Sequence, residues 1–325
     1  MNRQVDLSPT LSTLLRTGTA VAHERVERSQ SAGWLARGEL DRDEYVRFLM
    51  MLWHVYDNLE RALEEHASNP ILSFTYNSTL LSRSASLSAD ISHLLQINES
   101  AWLSHPIHVA LMNSPPPALS QYLMRIESIR NSQDPSPLLA HAYVRYLGDL
   151  SGGQIIRNKI TKAYDLHDGL GVAFYEFKSL GGSGLATVGD MKKIKEWYRQ
   201  NMDLAVGDNA TVKAALLEEA QIAFELNGGL FAALQEPSSP KSVDPALPPL
   251  GEPTTPVSDD FEPSSEKDLA KVVYDGAGSG EKTYQLSSVL AVIAAMSLAH
   301  FILVVGGFTG DRGYAKLEAV RNWFR

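Results

Sequence analysis

Between Tyr45 and Leu63 the side chains of Tyr45, Phe48, Leu49, Leu52, Tyr56, Leu59 and Leu63 recur at three- and four-residue intervals, which places them on one face of a long helix. Leu11, Leu14, Leu15, Ala22 and Val26 follow the same rule earlier in the chain. Two long amphipathic helices are therefore expected between Ser8 and about His66. Ser8-Pro9 opens the first, Gly38-Glu39-Leu40-Asp41 separates them, and Asp41 caps the second with Glu44 at capping-box spacing. Residues 67–93 are rich in serine and weakly periodic, which predicts an irregular connection. Further helices are expected at about 87–97, 118–131, 136–164, 188–205 and 209–235. The breaks between them fall at Pro115-Pro116-Pro117, Asp134-Pro135 and Gly181-Gly182-Ser183-Gly184. No segment alternates apolar and polar residues as a strand would, so the expected class is all-α.

The 325 residues include no cysteine, which excludes disulfides, thiolate metal sites and thiol nucleophiles together. The net charge of −9 is unevenly distributed. Glu236 to Glu281 carries ten acids and three bases, Lys282 to Arg325 five bases and two acids, and residues 1–235 hold a net charge of −5. No nucleic-acid footprint results.

This asymmetry marks the expected domains: a helical domain at 1–235, a linker at 236–285, a membrane-spanning helix at 286–308 and a short tail at 309–325. Eight of the sixteen prolines lie between 236 and 268, among serines and acids, so the linker is expected to be disordered. Leu286 to Phe308 has no formally charged side chain, His300 aside, and as a helix would reach about 34 Å, enough for a hydrocarbon layer of ~30 Å. A buried core helix is the alternative, but the linker separates this segment from any core. The N-terminus has no apolar signal-peptide run. A C-terminal tail anchor with the helical domain in the cytosol is the resulting expectation.

Within the helical background, Tyr146-Leu147-Gly148-Asp149-Leu150-Ser151-Gly152-Gly153-Gln154 contains three glycines. In a helix interior each costs about 1 kcal/mol relative to alanine, so the backbone there is expected to bend or to approach something closely. A capping box at Ser151-Gly152-Gly153-Gln154, a close helix crossing at Gly148 and Gly152, and a platform for a flat ligand all fit. Arg16, His23 and Glu27 fall on one helical face, either as a metal-binding histidine with its outer acceptor or as a surface ion network. Lys195 and Arg199, four apart, are either a clamp for a dianion or a solvated basic face. Asp149 is either a buried acid that organises water or a turn carboxylate. His105 and His108 are three apart, but Pro106 rules them out as a helical metal pair. His66, His93 and His167 read as surface residues.

The run His141-Ala142-Tyr143-Val144-Arg145-Tyr146-Leu147-Gly148-Asp149-Leu150-Ser151-Gly152-Gly153-Gln154 resembles the signature of the haem (heme) oxygenase family. Ala22-His23-Glu24-Arg25-Val26-Glu27, Trp53-His54-Val55-Tyr56 with Leu59-Glu60, Ile194-Lys195-Glu196-Trp197-Tyr198-Arg199 and Ala223-Phe224-Glu225-Leu226-Asn227 support it, in family order across about residues 10 to 235. The resemblance implies haem as both cofactor and substrate, held between a proximal helix and a kinked distal helix. His23 would ligate the iron and Glu27 would hold its ring. Arg16, Lys195 and Arg199 would pair with the propionates, and Tyr143, Gly152 and Phe224 would contact the macrocycle. Gly148 would let backbone lie on the porphyrin, while Asp149 would hold a water chain with Tyr56, Arg145 and Asn227 that supplies protons.

The implied reaction consumes O2 and electrons from an NADPH-dependent flavoprotein reductase, and yields biliverdin, carbon monoxide and ferrous iron. The tail also resembles that of the membrane-bound members, with the endoplasmic reticulum as the expected membrane. Two other readings remain at this point, a haem sensor or buffer without turnover and a tail-anchored helical adaptor.

Overall fold

The computed structural model describes residues 5–238 apart from Ser183. The linker beyond Ser238, the span at 286–308 and the tail at 309–325 lie outside the described residues. The elements are α1 (Leu11–Gly18), α2 (Ala20–Glu27), α3 (Gln30–Arg37), α4 (Arg42–Glu65), α5 (Ser78–Leu81), α6 (Ser84–Leu95), α7 (Pro106–Asn113), α8 (Pro117–Arg130), α9 (Leu138–Asp149), α10 (Gly152–Ala163), α11 (Val188–Val206) and α12 (Ala210–Ala232). Three 3₁₀ turns, Leu72–Phe74, Glu99–Ser104 and Ala173–Tyr175, complete them. Among the described residues the only β pairing is an isolated bridge between Lys178 and Leu185, so the all-α expectation holds there. None of the described helices is long and apolar enough to cross a membrane.

The first expected helix is three shorter ones. Gly18 is where α1 ends, and a Cβ there would come within 2.5 Å of Leu217 Cδ1, so a larger residue would have to displace that side chain of α12. Thr19 then turns back, donating its hydroxyl to Leu15 O at 2.7 Å. The Ser29 hydroxyl accepts from Ala32 N to start α3, and Gly38, at φ +68°, closes it in the left-handed region that favours glycine. Leu11, Leu14 and Leu15 are buried, whereas α2 buries no residue fully. Free of the core, α2 is available to line a cleft.

The second expected helix is α4. Nearly every side chain from Tyr45 to Leu52 is buried, and α6, α7, α8 and α9 all pack against it. It starts at Asp41, but not by the expected capping box. Asp41 instead accepts from Ser238 N at 3.0 Å, while Glu44 pairs with Arg47 and accepts from Gln235 N at 2.8 Å. The first residues of the expected linker are thus tied to the start of α4.

Residues 67–93 are more ordered than their composition predicts, because α5 and α6 occupy most of the second half and α6 packs on α4. The single helix expected at 136–164 is two, α9 and α10, bent at Leu150-Ser151, where Ser151 takes φ −115° and ψ −92°. Ser151 makes no side-chain cap; Gln154 Nε2 instead donates to Tyr175 O at 2.8 Å. The three glycines there do different things. A Cβ on Gly153 would lie 3.2 Å from the Tyr175 ring, so this glycine admits the Ala173–Tyr175 turn. A Cβ on Gly148 would meet nothing within 4 Å, which excludes a close helix crossing at that position.

Candidate active site

Gly148 faces a cleft with about 1260 Å³ of space outside protein atoms, a volume that includes the open solvent at its mouth. Arg16 of α1, His23 and Glu27 of α2, Tyr143, Val144, Arg145, Leu147, Gly148 and Asp149 of α9, Gly152 of α10, Arg199 of α11, and Phe224 and Asn227 of α12 all contribute to its lining. Leu35, Phe48, Leu52, Leu147, Ile156 and Phe231 make much of the wall apolar. Residues separated by up to two hundred positions therefore meet as the sequence resemblance implies. Two expected residues stand apart. Tyr56 lies behind the wall, fully buried, and Lys195 sits at the helix bend, where its Nζ donates to Ser151 Oγ at 3.1 Å.

On α2, His23 Nδ1 is 3.5 Å from Glu27 Oε2, one helical turn on, which leaves Nε2 as the ring nitrogen for a metal. The Phe224 ring meets the imidazole edge-on at 5.8 Å and limits its rotation. Among the described residues no three His, Asp or Glu side chains are grouped to hold a free metal ion. Haem iron needs only one such ligand, because the macrocycle supplies the equatorial four.

On α9, Asp149 is buried. The Tyr56 hydroxyl donates to Asp149 Oδ2, Arg145 Nε donates to Tyr56 Oη at 3.1 Å, and Arg145 Nη1 donates to Asn227 Oδ1. Arg145 Nη2 also stands 3.9 Å from Asp149 Oδ1. The four residues expected to share a water chain thus touch directly. Burial pushes the Asp149 carboxyl up to about 6, against the opposing pull of Arg145, the Tyr56 hydrogen bond and Arg83. Burial also raises the Tyr56 hydroxyl well above its ordinary value. The carboxyl therefore changes protonation near neutrality while its tyrosine partner stays protonated, a suitable setting for proton transfer.

A stability prediction follows from that shift. With a folded pKa of about 6 against 3.8 unfolded, the stabilising contribution of Asp149 is fully present below pH 3.8 and is lost as pH rises through 6. Denaturant titration of the apoprotein is expected to show Asp149→Asn gaining on the parent by about 1.4 kcal/mol between pH 5 and pH 7.5. An advantage that is flat or shrinks over this range would refute the raised pKa.

Two functional supports escaped the sequence reading. Asp90, 1% exposed, accepts from Ala173 N at 2.8 Å and Phe174 N at 2.7 Å. Arg83 donates to the carbonyls of Phe174 and Glu176, lies 4.1 Å over the Phe177 ring, and has its own backbone N–H held by Glu60 at 2.5 Å. Together they fix the turn that presents Phe174 and Tyr175 to the cleft, and Phe174 packs edge-on to Tyr56 at 5.5 Å. The available signal was that Arg83 and Asp90 are the only formally charged residues between Glu65 and Glu99.

The residues present fit a haem. The cleft is large and mostly apolar, its one histidine has an outer acceptor, Arg16 and Arg199 supply cations for carboxylates, and Gly148 leaves open space where a side chain would block a flat ring. Comparison with known proteins agrees. The family model described as Heme oxygenase matches residues 9–233. Heme oxygenase 1 of a Nostoc species is 35% identical over 231 residues, 70% of this chain and 87% of that protein; human heme oxygenase 1 is 31% identical over 227 residues, covering 70% and 72%. Among solved structures, heme oxygenase-2 of a Synechocystis species in complex with heme and NO superposes with a TM-score of 0.60 at 34% identity, over 69% of this chain and 84% of that one.

The chain belongs to the haem oxygenase family. It is an enzyme of that family, a haem oxygenase, and the family makes haem its substrate.

Proposed function

We propose that this protein opens the haem macrocycle to biliverdin, releasing carbon monoxide and ferrous iron, with O2 and electrons supplied by an NADPH-dependent flavoprotein reductase. The observation that carries this reading is the buried Asp149, hydrogen-bonded by Tyr56, beside Arg145, and set in the same cleft as His23. A protein that only stores or senses haem has no use for a buried carboxyl poised near neutrality.

When bound, haem supplies the iron that activates oxygen and the meso carbon that is oxidised. His23 would hold the iron through Nε2, with Glu27 orienting the ring from the Nδ1 side. Arg16 and Arg199, which line the cleft, with Lys195 at the bend, would pair with the propionates and so would fix the rotation of the macrocycle. Gly148 lets backbone lie against the ring, Gly152 continues that wall, and Tyr143 and Phe224 close it. Asp149 holds and releases the proton at its carboxyl, while Arg145, anchored by Asn227, keeps Tyr56 aimed at it. The apolar walls exclude bulk water from the same space.

The anchoring of the domain to a membrane through 286–308, and the endoplasmic reticulum as that membrane, are part of the same proposal. They rest on the apolar run and on the sequence resemblance. Titration of the chain with hemin is expected to saturate at one equivalent with a histidine-ligated spectrum. Reductant and O2 are then expected to convert it to biliverdin with one carbon monoxide per haem. Stable haem binding without biliverdin would refute the reading in favour of a sensor, and no haem absorbance at all would favour an adaptor.

A further inference from the structure

From Ser100 to Met124 the chain runs 25 residues without one Asp, Glu, Lys or Arg, although residues of these types make up 21% of the sequence and a stretch of this length would ordinarily hold about five. The run covers most of the Glu99–Ser104 turn, α7 and the first half of α8. Its inner side is well seated. Trp102 and Leu111 are buried, and His108 bonds on both ring nitrogens, to His54 Nε2 at 2.9 Å and to Leu103 O at 2.7 Å. Its outer side is bare and apolar, with Leu103 46%, Val109 44% and Met112 40% exposed. A helix face turned to water normally carries charges. This one carries none.

The place where residues 235–238 lie bears on what covers it. Ile107, Ala110, Leu111 and Ser114 line a groove whose other side includes Gln235 and Ser238, and Ser238 is held there by Asp41. The rest of the chain therefore departs beside α7, and it carries the 23-residue apolar run Leu286 to Phe308. We propose that the outer face of α7, with Leu103, rests in the interfacial layer of a lipid bilayer, with Leu103, Val109 and Met112 among the upper acyl chains. This rests on the reading of 286–308 as an anchor.

The composition of the face suits lipid, and the apolar run that follows Ser238 in the chain is what favours a bilayer as its cover. The neighbouring polar groups, His105, Asn113 and Ser114, are of a kind the headgroup layer solvates, and the face itself carries no acid, the nearest charges being Asp41, Arg42, Asp43, Glu44 and Arg47 across the groove. With no lysine or arginine in the run, contact depends on buried apolar area and not on anionic lipid.

The absence of cysteine makes the test direct. Single-cysteine variants Val109→Cys, Met112→Cys and Leu204→Cys of the full chain, each labelled with an environment-sensitive fluorophore, are to be bound to neutral phosphatidylcholine vesicles. Leu204, 71% exposed on α11, is the control. At 109 and 112 the label is expected to be quenched by nitroxide-bearing lipid and to be several-fold less accessible to iodide than at 204. Neither phosphatidylserine nor salt should change this. Equal iodide access at all three positions in a chain that still floats with the vesicles overturns the proposal and leaves the anchor standing. A chain that fails to float overturns both. Protection from iodide without quenching by lipid means that protein covers the face, which also overturns it.

Discussion

Asp149→Ala is expected to bind hemin with near-parental affinity while biliverdin formation falls by about a hundredfold or more. The two effects separate because the carboxyl lies in the cleft wall and takes its bonds from Tyr56 and Arg145, whereas affinity comes from His23, the cations and the apolar walls. Removing it leaves the Tyr56 hydroxyl without its acceptor and Arg145 without its charge partner, so nothing holds a proton at that point. Asp149→Asn refines the result, since it keeps an acceptor for Tyr56 but cannot exchange a proton near pH 6. Loss of turnover in both variants assigns the role to proton transfer, and recovery in Asn assigns it to hydrogen bonding alone. Parental turnover in Asp149→Ala would end the assignment.

The second large effect is expected for His23→Ala. The histidine-ligated ferric spectrum should disappear, and added imidazole should restore it by occupying the vacated position. The fold itself should survive, because α2 buries no residue fully and His23 contributes only its contacts with Glu27 and Phe224. Circular dichroism of the apoprotein is the control for this. An unchanged haem spectrum would mean that another side chain binds the iron.

What the sequence disclosed and what it hid have separate physical causes. The face of α4 and the break at Gly38 to Asp41 were legible because burial on one side of a helix writes its period into the residues. The split of the first helix was not, because it depends on Leu217 pressing against Gly18 from two hundred positions away. Asp41 and Glu44 have the spacing of a capping box, yet Ser238 and Gln235 compete for the same oxygens and win. In the candidate site, His23 with Glu27 and the acid among the glycines could be singled out, since each is local. Arg83 and Asp90 could not, because they act on the backbone of residues 173–176, which no spacing rule connects to α6.

The N-terminal helices have another long-range dependence. Ser12 donates from both its backbone N–H and its hydroxyl to Asp203, at 2.7 and 2.6 Å, and Lys213 Nζ donates to Pro9 O at 2.8 Å, while α2 packs on α12. During synthesis, Arg16 and His23 therefore have nowhere to dock until α11 and α12 have left the ribosome, some ten to forty seconds after the first helices emerge. A nascent chain has no assembled haem pocket, so haem is captured only after the domain is complete, and a truncated product cannot sequester it.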